Sequence, residues 1–456
     1  MLYAVNENIK QSYKPISNVL EIVLKNLEFY EKIFHETPLS NLMQAQSTFL
    51  YQLIKDYPKP HFNYKPIEKE GLTYNVLEEV VKDKTFCEFK KFSLEGLKRN
   101  KAVLVVIPLS GHYATLLKDT IKSILFDYDV FITDWKNAKE IPKDKGDFGF
   151  EDYVKYVIEL GEDIKAEYKK LNVVAVCQPT VPVMTAAAYY KKINKKDWAN
   201  NIVLMGGPVD TRISPTQVNN YALKKDINWF KNHVIHTVPN NHEGRGRKVY
   251  PGFLQYSGFL SMNMKRHTQA HLDFFNHLLI GADLDAKKHQ EFYNEYNAVM
   301  DLAEKYYLET LERVFIDQHL AKGTMKVDNK LISLNDIKDT KLLTIEGEMD
   351  DISGLGQTHA ANYLCTNIPQ NKKEAITFEG VGHYGIFAGK KWRNEIYSKI
   401  EDFSLSNDAS IRAEKVADNY MAGYDVAGSE ANYKKMEVEE IQEIIYTNEA
   451  LNIDAY

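Results

Sequence analysis

The sequence predicts an α/β fold in which a mostly parallel sheet carries helices on both faces. Short, continuous apolar runs recur along the chain, as expected for strands that are buried on both faces. They lie at residues 102–108, 130–133, 173–176, 202–205, 342–345 and 375–378. Most of these runs are separated by enough chain for a helix, for example residues 151–169 and 185–193. Such alternation of buried strands and helices is typical of a parallel sheet.

The composition excludes several other classes of protein. The chain has 456 residues, of which 44% are apolar and 26% are charged, values that are ordinary for a globular protein. No apolar run approaches the ~20 residues of a membrane-spanning helix, and the first residues lack the pattern of a secretory signal. Three widely spaced cysteines, Cys87, Cys177 and Cys365, form neither a disulfide framework nor a zinc pattern. We therefore expect a cytoplasmic protein.

The net charge of −6 is unevenly distributed along the chain. Residues 405–456 hold 11 acidic and 4 basic side chains, a net charge of −7, so the preceding 404 residues carry about +1. A protein body so close to neutral is not expected to bind nucleic acid. We therefore expect the acidic segment to lie apart from the catalytic part of the chain.

The spacing of the predicted strands divides the chain into four parts. About 130 residues separate Met205 from Leu342, which is too long for a simple crossover between strands, and they include helical stretches. The predicted parts are an N-terminal helical segment that packs on the core (1–95), an α/β core (96–211 and 340–404), a helical cap insertion (212–339) and an acidic C-terminal extension (405–456). Within the N-terminal segment, residues 83–92 are a candidate for a short pair of strands.

Cys177 directly follows the predicted strand at residues 173–176 and precedes a predicted helix. A sharp turn from strand to helix is where an α/β-hydrolase holds its nucleophile, and this turn needs little bulk on either side. Ala175 is small, and Pro179 suits the first turn of a helix. The start of the helix would favour a thiolate, and its free N–H groups could hold an oxyanion. The simpler interpretation, a small buried core cysteine, applies to most free cysteines, but the residues downstream favour catalysis.

An acid and a histidine follow Cys177 in an informative order. Asp350 and Asp351 come just past a predicted strand, where the acid of a catalytic triad lies, and their spacing from Gly347 favours Asp350. His383 lies in a glycine-rich loop after the last predicted strand. The order nucleophile, acid, histidine is that of α/β-hydrolases. The sequence therefore predicts a Cys–Asp–His triad in an α/β-hydrolase fold with a helical cap insertion.

The loop at residues 108–113 follows the first buried strand and is the predicted source of one oxyanion donor. In this fold one donor is the amide of the residue after the nucleophile, here Gln178, and the other comes from this loop. Ser110 and Gly111 are both candidates for the second donor. His112 is not expected to be the base, because the triad order requires a histidine after the acid.

Two groups of residues resemble metal ligands only weakly: His267 with His271, and His233 with His236, His242 and Glu243. The first pair has helical spacing but lacks the glutamate of a zinc-protease motif, and the second group has no recognised spacing. We therefore expect neither a metal nor a resident cofactor.

Several of these segments resemble the intracellular polyhydroxyalkanoate depolymerases of the poly(3-hydroxybutyrate) type. The matching segments are residues 107–117, 176–179, 205–212, 250–255, 346–352 and 382–385. The resemblance runs from the N-terminus to about Phe403. It implies a cysteine-nucleophile α/β-hydrolase, related to polyhydroxyalkanoate synthases, in which Cys177 is the nucleophile, Asp350 the acid and His383 the base.

The resemblance also implies a substrate and a partner. The substrate would be amorphous polyester in cytoplasmic granules, and the partner would be the granule surface. Cleavage through a thioester intermediate would release 3-hydroxyacids or oligomers, or an acyl-CoA if coenzyme A is the acyl acceptor.

Two alternatives of other classes remain. A polyhydroxyalkanoate synthase-like acyltransferase would use the same triad, but synthases usually carry glycines at the positions of Ala175 and Pro179, which favours a depolymerase. A non-catalytic granule-binding protein would have no use for the three triad residues in that order.

The predicted cap contains aromatic residues that are candidates for an apolar surface on which an insoluble polymer could bind. They are Trp229, Phe230, Tyr250, Phe253, Tyr256, Phe259, Phe274 and Phe275. The alternative, which is favoured for most of them, is that these rings form the core of the cap itself.

Overall fold

A computed structural model describes residues 2–31, 38–69, 71–262, 264–405 and 433–435. The acidic extension expected at residues 405–456 therefore lies almost wholly outside the described residues. Within the described part of the chain, no helix combines the length and the apolar character needed to span a bilayer.

The described residues contain sixteen strands. They are β1 (Ile67–Lys69), β2 (Leu72–Tyr74), β3 (Val76–Asp83), β4 (Cys87–Leu94), β5 (Ala102–Val106), β6 (Asp129–Trp135), β7 (Asn172–Val176), β8 (Asn201–Met205), β9 (His236–Thr237), β10 (Lys248–Tyr250), β11 (Leu302–Ala303), β12 (Lys326–Val327), β13 (Lys330–Leu331), β14 (Lys341–Gly347), β15 (Lys373–Phe378) and β16 (Tyr433–Lys435).

The described helices connect these strands. They are α1 (Leu2–Glu31), α2 (Pro38–Ile54), α3 (Lys118–Ile124), α4 (Phe150–Tyr168), α5 (Thr180–Asn194), α6 (Gln217–Leu223), α7 (Ile227–His233), α8 (Gly252–Met262), α9 (Met264–Leu279), α10 (Asp283–Tyr296), α11 (Glu304–Thr310), α12 (Ala360–Leu364), α13 (Gly389–Lys391) and α14 (Tyr397–Ile400).

Nine strands form one large sheet in the order β16-β15-β14-β8-β7-β5-β6-β4-β3. The six strands from β15 to β6 are mutually parallel, whereas β3, β4 and β16 are antiparallel to their neighbours. Every residue of β5, β7 and β8 is buried, because helices cover both faces of the sheet at its centre. The predicted α/β fold is thereby confirmed.

The N-terminal region differs from the helical segment expected over residues 1–95. The helices α1 and α2 are followed by four strands, and β3 and β4 extend the large sheet. In β4, apolar and charged residues roughly alternate, and Cys87, Phe89, Phe92 and Leu94 are buried. This alternation is the pattern of a strand with one face on the core.

The helices α1 and α2 pack on the region between β8 and β14. Tyr3 of α1 donates a hydrogen bond of 2.5 Å from its hydroxyl to Asp301 Oδ2. Phe49 of α2 lies against Phe274 and Phe275 of α9, with ring centroids 6.3 and 5.4 Å apart.

The region between β8 and β14 contains α6 to α11 and a small antiparallel sheet of β9, β10 and β11. None of its eight aromatic candidates is fully exposed. Phe230 and Phe274 are buried, and the other six rings are half-buried. Phe230 and Phe274 thus belong to the core, as the alternative interpretation expected, and a landing surface that includes the six half-buried rings stays a prediction.

His112 links this region to the sheet. It follows β5 and forms an isolated antiparallel bridge with Val299. Its ring stacks on Phe259 at 4.9 Å between centroids, and its Nε2 lies 3.1 Å from the carbonyl oxygen of Tyr296. Burial lowers the pKa of His112 to about 4, although the hydrogen bond to Tyr296 opposes the shift. The imidazole is therefore neutral at pH 7 and donates to that carbonyl.

We expect the pH dependence of stability to reveal this buried histidine. Between pH 6.5 and 4 the unfolded chain binds a proton at His112 that the folded chain does not, so acid favours unfolding by roughly tenfold per pH unit. His112→Gln keeps a donor but cannot titrate. Denaturant unfolding of both proteins from pH 7 to 4.5 should show the wild type losing more stability than the variant. Parallel curves would contradict the assignment.

Candidate active site

Cys177 lies on a strained turn between β7 and α5. Its φ of +67° is in the left-handed region, which residues other than glycine seldom adopt. The Cys177 amide donates to the carbonyl oxygen of Met205 at 2.7 Å, and the Thr180 amide donates to the carbonyl oxygen of Cys177 at 3.1 Å. These two hydrogen bonds hold the turn, which lifts the thiol above the carboxyl end of the sheet.

Gly207, just beyond β8, leaves the space that this turn occupies. A Cβ atom at Gly207 would lie 2.0 Å from Thr180 Oγ1 and 2.5 Å from the carbonyl oxygen of Cys177. No side chain fits at these distances. The backbone of Gly207 is itself held by Thr358, whose hydroxyl accepts from its amide at 2.8 Å and donates to its carbonyl at 3.1 Å.

Gly206 provides the corresponding space beside the other two predicted triad residues. A Cβ atom there would lie 2.4 Å from Cδ1 of Ile386, 3.2 Å from Asp350 Oδ2 and 3.4 Å from Cε1 of His383. The sequence alone assigns no role to Gly206 or Gly207. The two residues belong only to the segment 205–212, which resembles the depolymerases. Their position directly after a buried strand at the sheet centre is the signal that could have found them.

His383 and Asp350 form a buried pair. Nδ1 of His383 lies 2.7 Å from Asp350 Oδ2, and both side chains are almost inaccessible to solvent. Asp350 Oδ1 accepts hydrogen bonds from the amides of Ile352 and Ser353, both at 2.9 Å. These bonds fix the carboxylate and so orient the imidazole. Asp351, the sequence alternative, is exposed, and the structure pairs Asp350 with the histidine instead.

The electrostatics of the pair involve Cys177. Burial alone would lower the pKa of His383, but the charge of Asp350, the charge of Cys177 and hydrogen bonds to both raise it well above its usual value. Cys177 is also the accessible cysteine, since Cys87 and Cys365 are buried. Burial raises the pKa of Cys365 to about 12 and that of Cys87 well above its usual range. Of the three cysteines, Cys177 is thus the one that is both accessible and in electrostatic contact with the imidazole of His383.

The predicted oxyanion residues lie at the same edge of the sheet. β5 and β7 are parallel neighbours, with Val106 opposite Ala175, so the loop after β5 meets the turn after β7. The carboxamide Oε1 of Gln178 accepts a hydrogen bond of 3.3 Å from the amide of Leu109. Sequence reasoning missed this contact of Leu109, because no pattern within the chain encodes a side chain that reaches between two loops.

Ser110 and Gly111 occupy the outer part of this loop. Ser110 is half-buried and Gly111 is buried. The Gly111 carbonyl accepts from the amide of Met300 at 2.8 Å. A side chain is excluded at Gly111, since its φ is +113° and a Cβ atom there would lie 2.4 Å from Gln255 Oε1. The loop is therefore buttressed from the side of the β8–β14 insertion.

Two of the candidate metal-ligand histidines, His267 and His242, have other partners. His267 Nδ1 lies 2.9 Å from the hydroxyl of Tyr293, and His242 lies within 3.4 Å of carboxylate oxygens of Glu7 and Glu140. Among the described residues, no group of three or more His, Cys, Asp or Glu side chains is arranged to hold a metal ion.

The glycine at position 207 provides a test of the turn. We expect Gly207→Ala to displace the Cys177 carbonyl or Thr180, and misplacement of a nucleophile by about 1 Å lowers turnover by roughly a hundredfold. The matched control is Gly258→Ala in α8, where a Cβ atom meets nothing within 4 Å. Esterase activity and circular dichroism should be measured for both. Full activity of the Gly207→Ala protein would contradict the close approach of Gly207 to Thr180 and to the Cys177 carbonyl.

Comparison with known proteins gives one family match. Residues 206–408 match the family model described as PHB de-polymerase C-terminus. The chain matches none of the curated proteins.

Solved structures are similar only at low sequence identity. A soluble variant of monoglyceride lipase from Saccharomyces cerevisiae is 14% identical, with 76% of this chain and 97% of the lipase covered and a TM-score of 0.44. Bromoperoxidase from Bacillus anthracis is 12% identical, with 69% and 96% covered and a TM-score of 0.42. The fold itself is shown by the strand order and by the turn at Cys177.

The family match includes Gly206 and Gly207 and extends over the strands and loops that carry Asp350 and His383. The chain is therefore a carboxylic ester hydrolase built on an α/β-hydrolase fold, and over residues 206–408 it is similar to the PHB depolymerases.

Proposed function

We propose that the protein is an intracellular polyhydroxyalkanoate depolymerase that cleaves ester bonds of amorphous poly(3-hydroxybutyrate)-type granules in the cytoplasm. The observation that carries the proposal is the accessible Cys177 on its left-handed turn, facing the buried pair of His383 and Asp350. The family match over residues 206–408 supports the substrate class.

In the first half-reaction, His383 accepts the proton of the Cys177 thiol, and the thiolate attacks the ester carbonyl carbon. The oxyanion that forms is held by the Gln178 amide together with an amide of Ser110 or Gly111. Asp350 holds the imidazolium in place. Collapse of the intermediate breaks the ester C–O bond, and His383 gives its proton to the departing alcohol of the polymer chain.

In the second half-reaction, the 3-hydroxyacyl group is held on Cys177 as a thioester. A water molecule loses a proton to His383, attacks the thioester and releases a 3-hydroxyacid or a short oligomer with the thiol restored. A thiol such as coenzyme A can replace water, since one thioester then exchanges for another, and the product is an acyl-CoA. No resident cofactor or metal is needed in this scheme.

The runner-up is a synthase-like acyltransferase, which would use the same three residues in the opposite direction. Ala175 and Pro179 flank the nucleophile where synthases usually carry glycines, and this favours the depolymerase. A non-catalytic granule-binding protein has no need of the strained turn at Cys177.

Native amorphous granules incubated with the purified protein, with and without coenzyme A, test the proposal. We expect soluble 3-hydroxyacids or oligomers without coenzyme A, and 3-hydroxyacyl-CoA where thiolysis competes. Cys177→Ala should abolish product release while the fold and granule binding persist, because only one sulfur is lost. Cys177→Ser should keep weak activity, since a hydroxyl ionises far less readily than a thiol.

Product analysis by mass spectrometry and co-sedimentation with granules provide the readouts. Hydrolysis by Cys177→Ala above about a tenth of the wild-type rate would refute the nucleophile. Granule growth from supplied 3-hydroxyacyl-CoA, in cells expressing only this protein, would favour the acyltransferase.

The two neighbouring acids give a matched pair of variants. Asp350→Asn should lower kcat by a factor on the order of 10⁴, as in serine-protease triads where the amide selects the wrong tautomer of the histidine. Asp351→Asn should have far less effect, because Asp351 is exposed and the His383 bond is made by Asp350. Steady-state kinetics on a soluble ester would check both. A larger loss at Asp351 would move the triad acid there.

A further inference from the structure

Gln178 reaches the oxyanion region with two different parts of the residue. Its backbone amide directly follows Cys177, whereas its carboxamide extends to the loop after β5 and accepts from the Leu109 amide at 3.3 Å. Gln178 is 8% exposed, so both parts are shielded from water. A single residue therefore joins the nucleophile turn to the loop that holds the second oxyanion donor.

The carboxamide nitrogen of Gln178 has no hydrogen-bond partner within the described part of the chain, although it is buried. Its orientation follows from chemistry: the Leu109 amide can only donate, so the oxygen must face it and the nitrogen must point elsewhere. A buried N–H₂ group without an acceptor destabilises the fold, and a partner that arrives with the substrate is one explanation for such a group beside a reactive residue.

We propose that the Gln178 side chain positions the oxyanion loop and that its Nε2 donates a hydrogen bond to an oxygen of the bound ester. The inference rests on the proposed function and names a further residue for the same site. Polyesters of hydroxyacids present a carbonyl and an ester oxygen in every repeat, so an acceptor is available beside the scissile bond. Binding of the substrate then supplies the partner that the buried nitrogen lacks.

The loop needs this support on its inner side. From the outer side it is held by the Met300 amide, which donates to the Gly111 carbonyl, and by Gln255, which lies against Gly111. On the side of the core, the hydrogen bond from the Leu109 amide to the Gln178 carboxamide joins this loop to the turn at Cys177. Without this hydrogen bond, we expect the amides of Ser110 and Gly111 to lose their fixed distance from Cys177. Stabilisation of the oxyanion depends on that distance.

The test compares Gln178→Met, which keeps size and loses both hydrogen bonds, with Gln357→Met. Gln357 is a fully buried glutamine whose carboxamide bonds Asn219 and Ser214, outside the site. Three quantities are measured on each full-length protein: kcat and KM on a soluble p-nitrophenyl ester, the inhibition constant of a trifluoromethyl ketone, and the rate of Cys177 alkylation by iodoacetamide.

These readouts separate the oxyanion region from the nucleophile. A trifluoromethyl ketone forms a tetrahedral adduct whose oxygen anion occupies the oxyanion site, whereas alkylation by iodoacetamide needs only the thiolate. Gln178→Met should lower kcat and weaken ketone inhibition by about 10²- to 10³-fold, the usual effect of losing an oxyanion donor. Its alkylation rate should equal that of the wild type, and Gln357→Met should change neither kcat nor ketone affinity.

Wild-type kcat and ketone affinity in Gln178→Met would overturn the inference, and so would a parallel fall of alkylation and ketone affinity, which would indicate a merely structural role. If the methionine variant does not fold, Gln178→Ala is measured in the same way, with the same outcomes. Failure here leaves granule hydrolysis by the wild type intact, whereas failure of the proposed function appears as a wild type that releases no product from granules.

Discussion

The left-handed backbone of Cys177 is the constraint on which the site depends. A φ of +67° is unfavourable for a residue with a side chain, and it persists here because β7, α5 and β8 enclose the turn. The consequence extends to the neighbouring strand. The turn brings the carbonyl oxygen of Cys177 to within 2.5 Å of where a Cβ atom of Gly207 would lie. The residue at position 207, just beyond β8, must therefore lack a side chain. One strained residue thus dictates the composition of a segment thirty positions away.

The buried acid–histidine pair depends on a second kind of support. A carboxylate away from water is tolerated when it is fully hydrogen-bonded, and Asp350 accepts from two backbone amides as well as from His383. The charges of Asp350 and Cys177, together with hydrogen bonds to both, raise the pKa of His383 despite its burial. The surrounding fold supplies fixed dipoles rather than solvent, so little reorganisation accompanies proton transfer.

Much of this arrangement can be predicted from the sequence. Buried parallel strands are continuous apolar runs, and the order of Cys177, Asp350 and His383 along the chain places them at the carboxyl ends of such strands. The antiparallel β3 and β4 were harder to predict, because their half-exposed faces carry charged residues within an otherwise helical region. For most rings of the insertion the sequence favours a core position, and Phe230 and Phe274 are indeed buried, but which of the others stay partly exposed depends on tertiary packing. The Gln178–Leu109 contact depends on tertiary structure alone.

The attachment of the β8–β14 insertion to the loop after β5 bears on how a bulky substrate can enter. The Met300 amide bonds Gly111, and the ring of His112 bonds Tyr296. An insertion tied to the loop in this way cannot swing open as a hinged lid without dragging the predicted oxyanion donors with it. If the proposed function holds, a polymer chain would therefore have to reach Cys177 while the insertion stays in place, because movement of the insertion would also move Ser110 and Gly111.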